Sequence, residues 1–486
     1  MNHSFVPKAA DMLVVGPETI VAAAAMLILL AELMPARISK AAAPWIAALG
    51  LLASFIPMTT TGISVRTGFS GMVVTDGFAV LMKAVLAVTG LLTIGFSTHY
   101  IKREDLDRAE YYALVLFAIS GMMLMASSAN LIMVFLSLEI LSISLYVLSG
   151  FARTQPRSQE ASLKYFLLGS FASAFLLYGI ALVYGGAGTI SLAGIANAIA
   201  SEGAARNPVL LAGAGLIAVG LGFKVAAVPF QMWTPDVYEG APSSVTAFMS
   251  VGAKAAGFAA LARVFLTAFG DIKVDWMPAL WAVAALTMIV GNVVAVAQTD
   301  IKRMLAYSSI AHAGYILVGL AAANQAGVSA LVFYLAAYLF MNLGAWAVVI
   351  LAGRRGEAGT EIDSYNGLFW RNPGAAAAMG VFMFALAGLP PTGGFMAKFY
   401  VFSAALQANM VGLVVIGALT SLVSVYYYAR VTVVMFMRDP EPDAAPISTR
   451  GLLGVTLAVT AAATIYLGVL PGQLFQLAGL AQIARP

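Results

Sequence analysis

The chain has 486 residues, 61% hydrophobic and only 10% charged, with a formal net charge of +4 and a mean hydropathy of +0.91. Soluble globular proteins carry about 25% charged residues, so the composition excludes a soluble domain and indicates a bundle built for a bilayer. The absence of cysteine excludes thiolate-ligated iron–sulfur clusters, disulfides and a cysteine nucleophile. Three histidines, His3, His99 and His312, leave a haem or a histidine-rich metal site almost without ligands. A pI near 9.1 does not point to nucleic acid, because the basic residues sit mainly in short connections between apolar runs.

Taken in chain order, apolar runs long enough to span occur at about 14–34, 41–61, 76–97, 110–128, 130–151, 161–184, 208–230, 241–267, 276–298, 302–322, 326–352, 373–402, 410–437 and 451–471. A membrane helix needs about 20 apolar residues, whereas a barrel strand needs about ten with strict alternation. The spacing therefore predicts an all-α integral membrane protein of about 14 helices. The N-terminus lacks a basic leader and a small-residue cleavage site, which predicts no removed signal peptide. Ser191–Ser201 is expected to form a short interfacial helix.

Fourteen Lys and Arg residues fall in alternate connections, among them Arg37, Lys102, Arg103, Lys302, Arg303, Arg354 and Arg438, against five (Lys8, Arg66, Arg206, Lys273 and Arg485) on the other side. By the positive-inside rule the first set is cytoplasmic and both termini face out. Seven basic residues remain within spans: Lys83, Lys164, Lys224, Lys254, Arg263, Lys398 and Arg430. A lysine at a helix centre costs roughly 2.5 to 3.5 kcal/mol on insertion scales, so each needs an interface, a partner or water. Lys83, Arg263 and Arg430 lie near span ends, where snorkelling to the interface is expected. Lys164 is open between that reading and a functional one.

Glu139, Lys224, Lys254 and Lys398 lie deeper or beside proline-broken segments. A carboxylate beside a lysine favours both charged forms and desolvation favours both neutral ones, so a neighbouring charge can tip the balance. That is the chemistry of a proton relay. Two spans are interrupted, one reading "FKVAAVPFQMW" around Pro229 and the other "FALAGLPPTGGFMAKFY" around Pro390 and Pro391. Paired interruptions are a pointer to inverted repeats with an ion path at the midplane. Helices four to eight and nine to thirteen would be the two five-helix repeats, with helices seven and twelve broken. The chain then divides into 1–109 (three helices), 110–267 (first repeat), 276–437 (second repeat) and 451–486 (last helix and tail). His312, near mid-span, is a candidate bridge between Lys254 and Lys398, although a single helical histidine also serves as a packed, hydrogen-bonded residue.

The stretches "FKVAAVPFQMWTPDVYEGAP", "DIKRMLAYSSIAHAGYILVGL" and "LAGLPPTGGFMAKFYVF" closely resemble the antiporter-like membrane subunits of proton-pumping NADH:quinone oxidoreductase, respiratory complex I, over about residues 76–437. The wording "TPDVYEGAP", a lysine at Lys398 and a chain that ends soon after its last span are similar to the subunit N branch. The resemblance implies a pair between Glu139 and Lys224, a central exchanging Lys254, a terminal Lys398, and supporting places for Lys164 and, more weakly, His312. It also implies that FMN and iron–sulfur clusters reside in partner subunits and that this chain holds no cofactor or metal. NADH and quinone would be substrates of the whole complex in a bacterial inner membrane, alongside paralogous antiporter-like subunits. A subunit of a multi-subunit sodium/proton antiporter is the alternative. A third reading is a purely structural linker whose buried charges only fix helix register.

Overall fold

The computed structural model describes residues 9–201, 207–440, 449 and 451–484. His3, Lys8, Arg206 and Arg485, named above, lie outside the described residues, as does Arg450, one of the fourteen basic residues. Among the described residues, twelve helices are long and apolar enough to cross a membrane, from Ala36–Thr61 to Leu452–Val469. Two shorter apolar helices, Gly16–Ala31 and Pro373–Ala387, accompany them, and fourteen spans follow only when both are counted.

Burial divides the helices into an inner and an outer set. Ser243–Ala268, Ile301–Ala321 and Gln325–Ala352 are almost wholly enclosed, whereas Pro156–Ala187, Val411–Met437 and Leu452–Val469 turn Phe171, Tyr178, Leu422 and Val455 outward. In hydrocarbon there is no polar medium to sort side chains, so outward leucines and phenylalanines are expected. Small residues permit the closest approaches: a Cβ at Gly179 would lie 2.7 Å from the Gly213 carbonyl, so the helices that carry them meet backbone to backbone. A short helix is present where one was expected, as Leu192–Ser201, with Leu192, Ile195 and Ile199 buried. A two-stranded ribbon, Arg66–Gly68 with Val73–Thr75, is an addition that run length did not predict.

Both interruptions are real and have the same local design. The Pro208–Val225 helix ends on Ala226 in the left-handed region (φ 61°), and a short helix, Trp233–Gly240, follows Pro229. The Pro373–Ala387 helix ends on Gly388 (φ 85°), and Gly393–Gln407 follows Pro390 and Pro391. Left-handed residues end helices because the backbone turns away and leaves the last carbonyls without amide partners. At the first break Trp233 Nε1 donates to Phe223 O at 3.0 Å and Thr287 Oγ1 accepts from Val228 N at 3.0 Å. At the second a lysine serves the freed carbonyls.

Candidate functional site

Three lysines in the interior lack a carboxylate partner among the described residues. Lys224 is 4% exposed, Lys254 2% and Lys398 4%. Lys224 stands in the last turn of the first broken helix, where its Nζ donates to Ser142 Oγ at 2.9 Å and Tyr165 OH at 3.1 Å. Lys254 Nζ donates to the carbonyl and the hydroxyl of Ser309, over the face of the Tyr338 ring. Lys398 Nζ bridges the second break: it donates to Ala387 O at 2.8 Å, to Leu386 O at 3.3 Å and to Ser421 Oγ at 2.7 Å. The carbonyl end of a helix carries partial negative charge, so the broken helix itself is a ligand for that cation. The Tyr315 ring lies 4.6 Å from the same Nζ.

These partners differ in kind from those of the other buried cations. Lys83 meets Glu18 at 2.7 Å, Arg263 grips both oxygens of Asp76 at 2.8 and 2.9 Å, and Lys302 meets Glu357 at 3.0 Å. A carboxylate fixes a cation, whereas a hydroxyl can accept from an ammonium or donate to an amine. The geometry thus separates cations held in one state from amines that can exchange a proton without losing their partners.

Several expectations are corrected by these contacts. Lys83 and Arg263 do not snorkel; both are 1% exposed and ion-paired. Burial alone would raise the Asp76 carboxyl, but the Arg263 guanidinium and the amides of Ala484 and Ala79 hold it below the usual carboxylate range. Glu18, a buried acid, was missed because "GPET" at the start of a run reads as an ordinary first-turn carboxylate. Lys302 is no loop cation but a buried residue in the first turn of its helix.

Glu139 and Lys224 do not form a direct ion pair. Glu139 accepts from Ser173 Oγ at 2.5 Å, and Lys224 is turned to Ser142 and Tyr165. Beside Lys224 is a gap of about 10 Å³, lined also by Ser142, Tyr146 and Ser173, roughly the room of one water. Lys164 also lies elsewhere. Its side chain is 41% exposed and is held by Glu160 at 2.8 Å and Asp236 at 2.7 Å. Asp236 continues to Arg303 at 3.0 Å. Burial would raise the Asp236 carboxyl, but these two cations lower it. Lys164 thereby ties down the short helix that follows the first break.

Of the remaining candidates, Lys254 and His312 lie along the enclosed helices. The stem of Lys224 passes the Cα of Gly257, where an added Cβ would meet its Cβ and Cγ at 3.6 Å. Gly257 is one turn from Lys254 on the same helix. Ser309, the partner of Lys254, precedes His312 by three residues, and His312 Nδ1 meets Tyr334 OH at 2.7 Å while Nε2 meets Tyr428 OH at 3.3 Å. Tyr315, one turn further, lies under Lys398. A cleft of about 590 Å³, with Lys398 and Ser421 in its wall, opens beside the exposed Phe399 and Leu422. The tyrosines and serines of this path were not singled out from sequence, since nothing distinguishes them from other polar residues in apolar runs.

A bundle with two broken helices and a file of buried amines defines an ion-translocating membrane subunit. Residues 128–424 match the family described as NADH:quinone oxidoreductase/Mrp antiporter, transmembrane, and the chain belongs to that family. It is 47% identical over 466 residues to NADH-quinone oxidoreductase subunit N of Trichlorobacter lovleyi, covering 96% of each chain. It is similar to a chain of respiratory complex I from Thermus thermophilus with bound aureothin (TM-score 0.81, 35% identity, 95% of this chain and 99% of that one). A chain of the Mrp complex from Dietzia sp. shares the fold at 21% identity, with a TM-score of 0.82 and coverage of 97% and 96%.

Proposed function

We propose that the chain is the subunit N type of membrane subunit in a proton-translocating NADH:quinone oxidoreductase, and that Lys224, Lys254 and Lys398 carry protons through it with His312 between the last two. The observation that carries this reading is the contrast in partners: three enclosed amines with only hydroxyl and carbonyl ligands, beside three enclosed cations with carboxylates. Identity to subunit N over nearly the whole length supports the setting. Electron transfer from NADH to quinone then takes place on FMN and iron–sulfur centres of partner subunits, and this chain holds no redox group.

The separated arrangement of Glu139 and Lys224 suggests how energy enters. When Lys224 leaves Ser142 and Tyr165 for Glu139, its charge is neutralised; when it returns, it faces the Lys254 helix across Gly257 and repels the proton there. That proton passes by Ser309 and His312 toward Lys398. Moving one elementary charge against 100 mV requires about 2.3 kcal/mol, supplied by electron transfer elsewhere in the assembly. Lys164 is a positioning residue that acts through Asp236. The two broken helices, with left-handed residues at matching places, support the inverted repeats of helices four to eight and nine to thirteen, the four-part division of the chain and the count of fourteen. The basic excess supports termini on the periplasmic side.

Lys224→Ala in assembled complex is expected to lower proton pumping and coupled quinone reduction together. Full pumping with normal assembly would reject the role. The Mrp-like fold keeps the sodium/proton antiporter as the second reading, separated by whether flavin and iron–sulfur subunits co-purify.

A further inference from the structure

The helix that carries Lys254 runs antiparallel to Gln325–Ala352, and their facing residues form a polar seam. Ser243, Ser250 and Lys254 fall at i, i+7 and i+11 on one face; Tyr338, Asn342 and Trp346 fall at i, i+4 and i+8 on the other. Tyr338 lies under Lys254, and Asn342 Nδ2 donates to Ser250 Oγ at 2.7 Å. Asn342 Oδ1 and Trp346 Nε1 are fully buried and have no hydrogen-bond partner among the described residues. An unpaired buried polar group costs roughly 1 to 3 kcal/mol, and groups of this kind are served by internal water. The two stand one and two turns along the helix from Tyr338, the ring beneath Lys254.

The seam ends at the basic-rich side under a hairpin, Gly353–Thr360, closed by Arg354 N to Ala358 O at 2.9 Å. Its tip residue Glu357 takes a left-handed backbone (φ 58°) between Gly356 and Gly359, a conformation uncommon for residues other than glycine. The carboxylate reaches inward: Oε1 accepts from Ser243 N at 3.0 Å and from Tyr100 OH, and Oε2 accepts from Ser243 Oγ at 2.5 Å and Lys302 Nζ at 3.0 Å. It therefore caps the first turn of the Lys254 helix from a distant loop. Burial would raise this carboxyl, yet Lys302 and the two hydroxyls hold it down to about 2, so it stays a charged stopper.

We propose that the seam through Asn342 and Trp346 is the route by which protons reach Lys254 from the basic-rich side, and that Glu357 on its hairpin is the movable plug at the mouth. The proposal rests on Lys254 being a relay member, but its test does not require turnover. The chain has no cysteine, so Asn342→Cys introduces its single thiol. Complex in sealed vesicles of either orientation is exposed briefly to Ag⁺, quenched and denatured, and the thiol left free on this subunit is counted with a maleimide.

Silver from the basic-rich side is expected to consume the thiol at least tenfold faster when Glu357→Gln is added. Ser243→Ala, which removes one ligand of the plug and leaves the helix intact, should give a smaller rise. Equal rates in all three backgrounds, or faster access from the opposite side, would overturn the proposal. Access that follows Glu357 while Lys254→Met pumps normally would keep the path and reject the relay.

Discussion

Gly388→Ala isolates the second break from the rest of the molecule. Gly388 has φ 85°, and a Cβ there would lie 2.7 Å from Lys398 Cδ and 3.0 Å from Nζ. An alanine in the left-handed region costs about 1 to 2 kcal/mol by itself. The contact also forces the lysine to move, and each hydrogen bond to a charged group is worth about 1.5 to 3 kcal/mol. Loss of either the Ala387 carbonyl or the Ser421 hydroxyl brings the total to roughly 2.5 to 5 kcal/mol. The contacts are to Cδ, Cε and Nζ, all absent from Lys398→Ala, so in that background only the strain remains. A double-mutant cycle should therefore give a coupling of about 1.5 to 3 kcal/mol, read from urea-induced loss of this subunit from the detergent-solubilised complex. Independent effects within about 0.5 kcal/mol would refute the packing of Lys398 across the break.

Lys83→Met should destabilise by about 3 to 5 kcal/mol, because Glu18 is left buried and unpaired. The double variant with Glu18→Gln should recover most of that in the same urea assay. Asp76→Asn should cost a similar amount by freeing Arg263 and the amide of Ala484, and should lower assembly while leaving protons per electron in the surviving complex unchanged. Tyr165→Phe removes one ligand of Lys224 but retains the stack on Trp233, whose ring centroid is 4.6 Å away. It should lower pumping more than it lowers stability, read as the proton-to-electron ratio against the urea midpoint.

The membrane class and the two breaks were legible because they depend on run length, proline and glycine, which act locally. Lys224, Lys254 and Lys398 could be singled out because an amine deep in an apolar run is costly wherever the helix packs. Their partners could not. Ser309 and Tyr338 become ligands of Lys254 only once three helices are brought together, and the sequence pattern of a helix buried on all sides does not show which face meets which. The same blindness explains Lys83 and Arg263. Distance from a span end suggests that a side chain can reach water, but Glu18 and Asp76, distant in sequence, offer a better partner inside. Glu357 was hidden for the opposite reason: a Gly-rich, charged connection reads as solvated loop, and only the fold shows its carboxylate turned in toward Ser243.

The central claim is that protons cross this subunit by way of an enclosed amine. Lys254→Met keeps the length and apolar stem of the side chain and removes the group that exchanges. Assembled complex carrying it, reconstituted in sealed liposomes, should oxidise NADH with a clearly reduced number of protons moved per electron. An unchanged ratio in fully assembled complex would contradict the account.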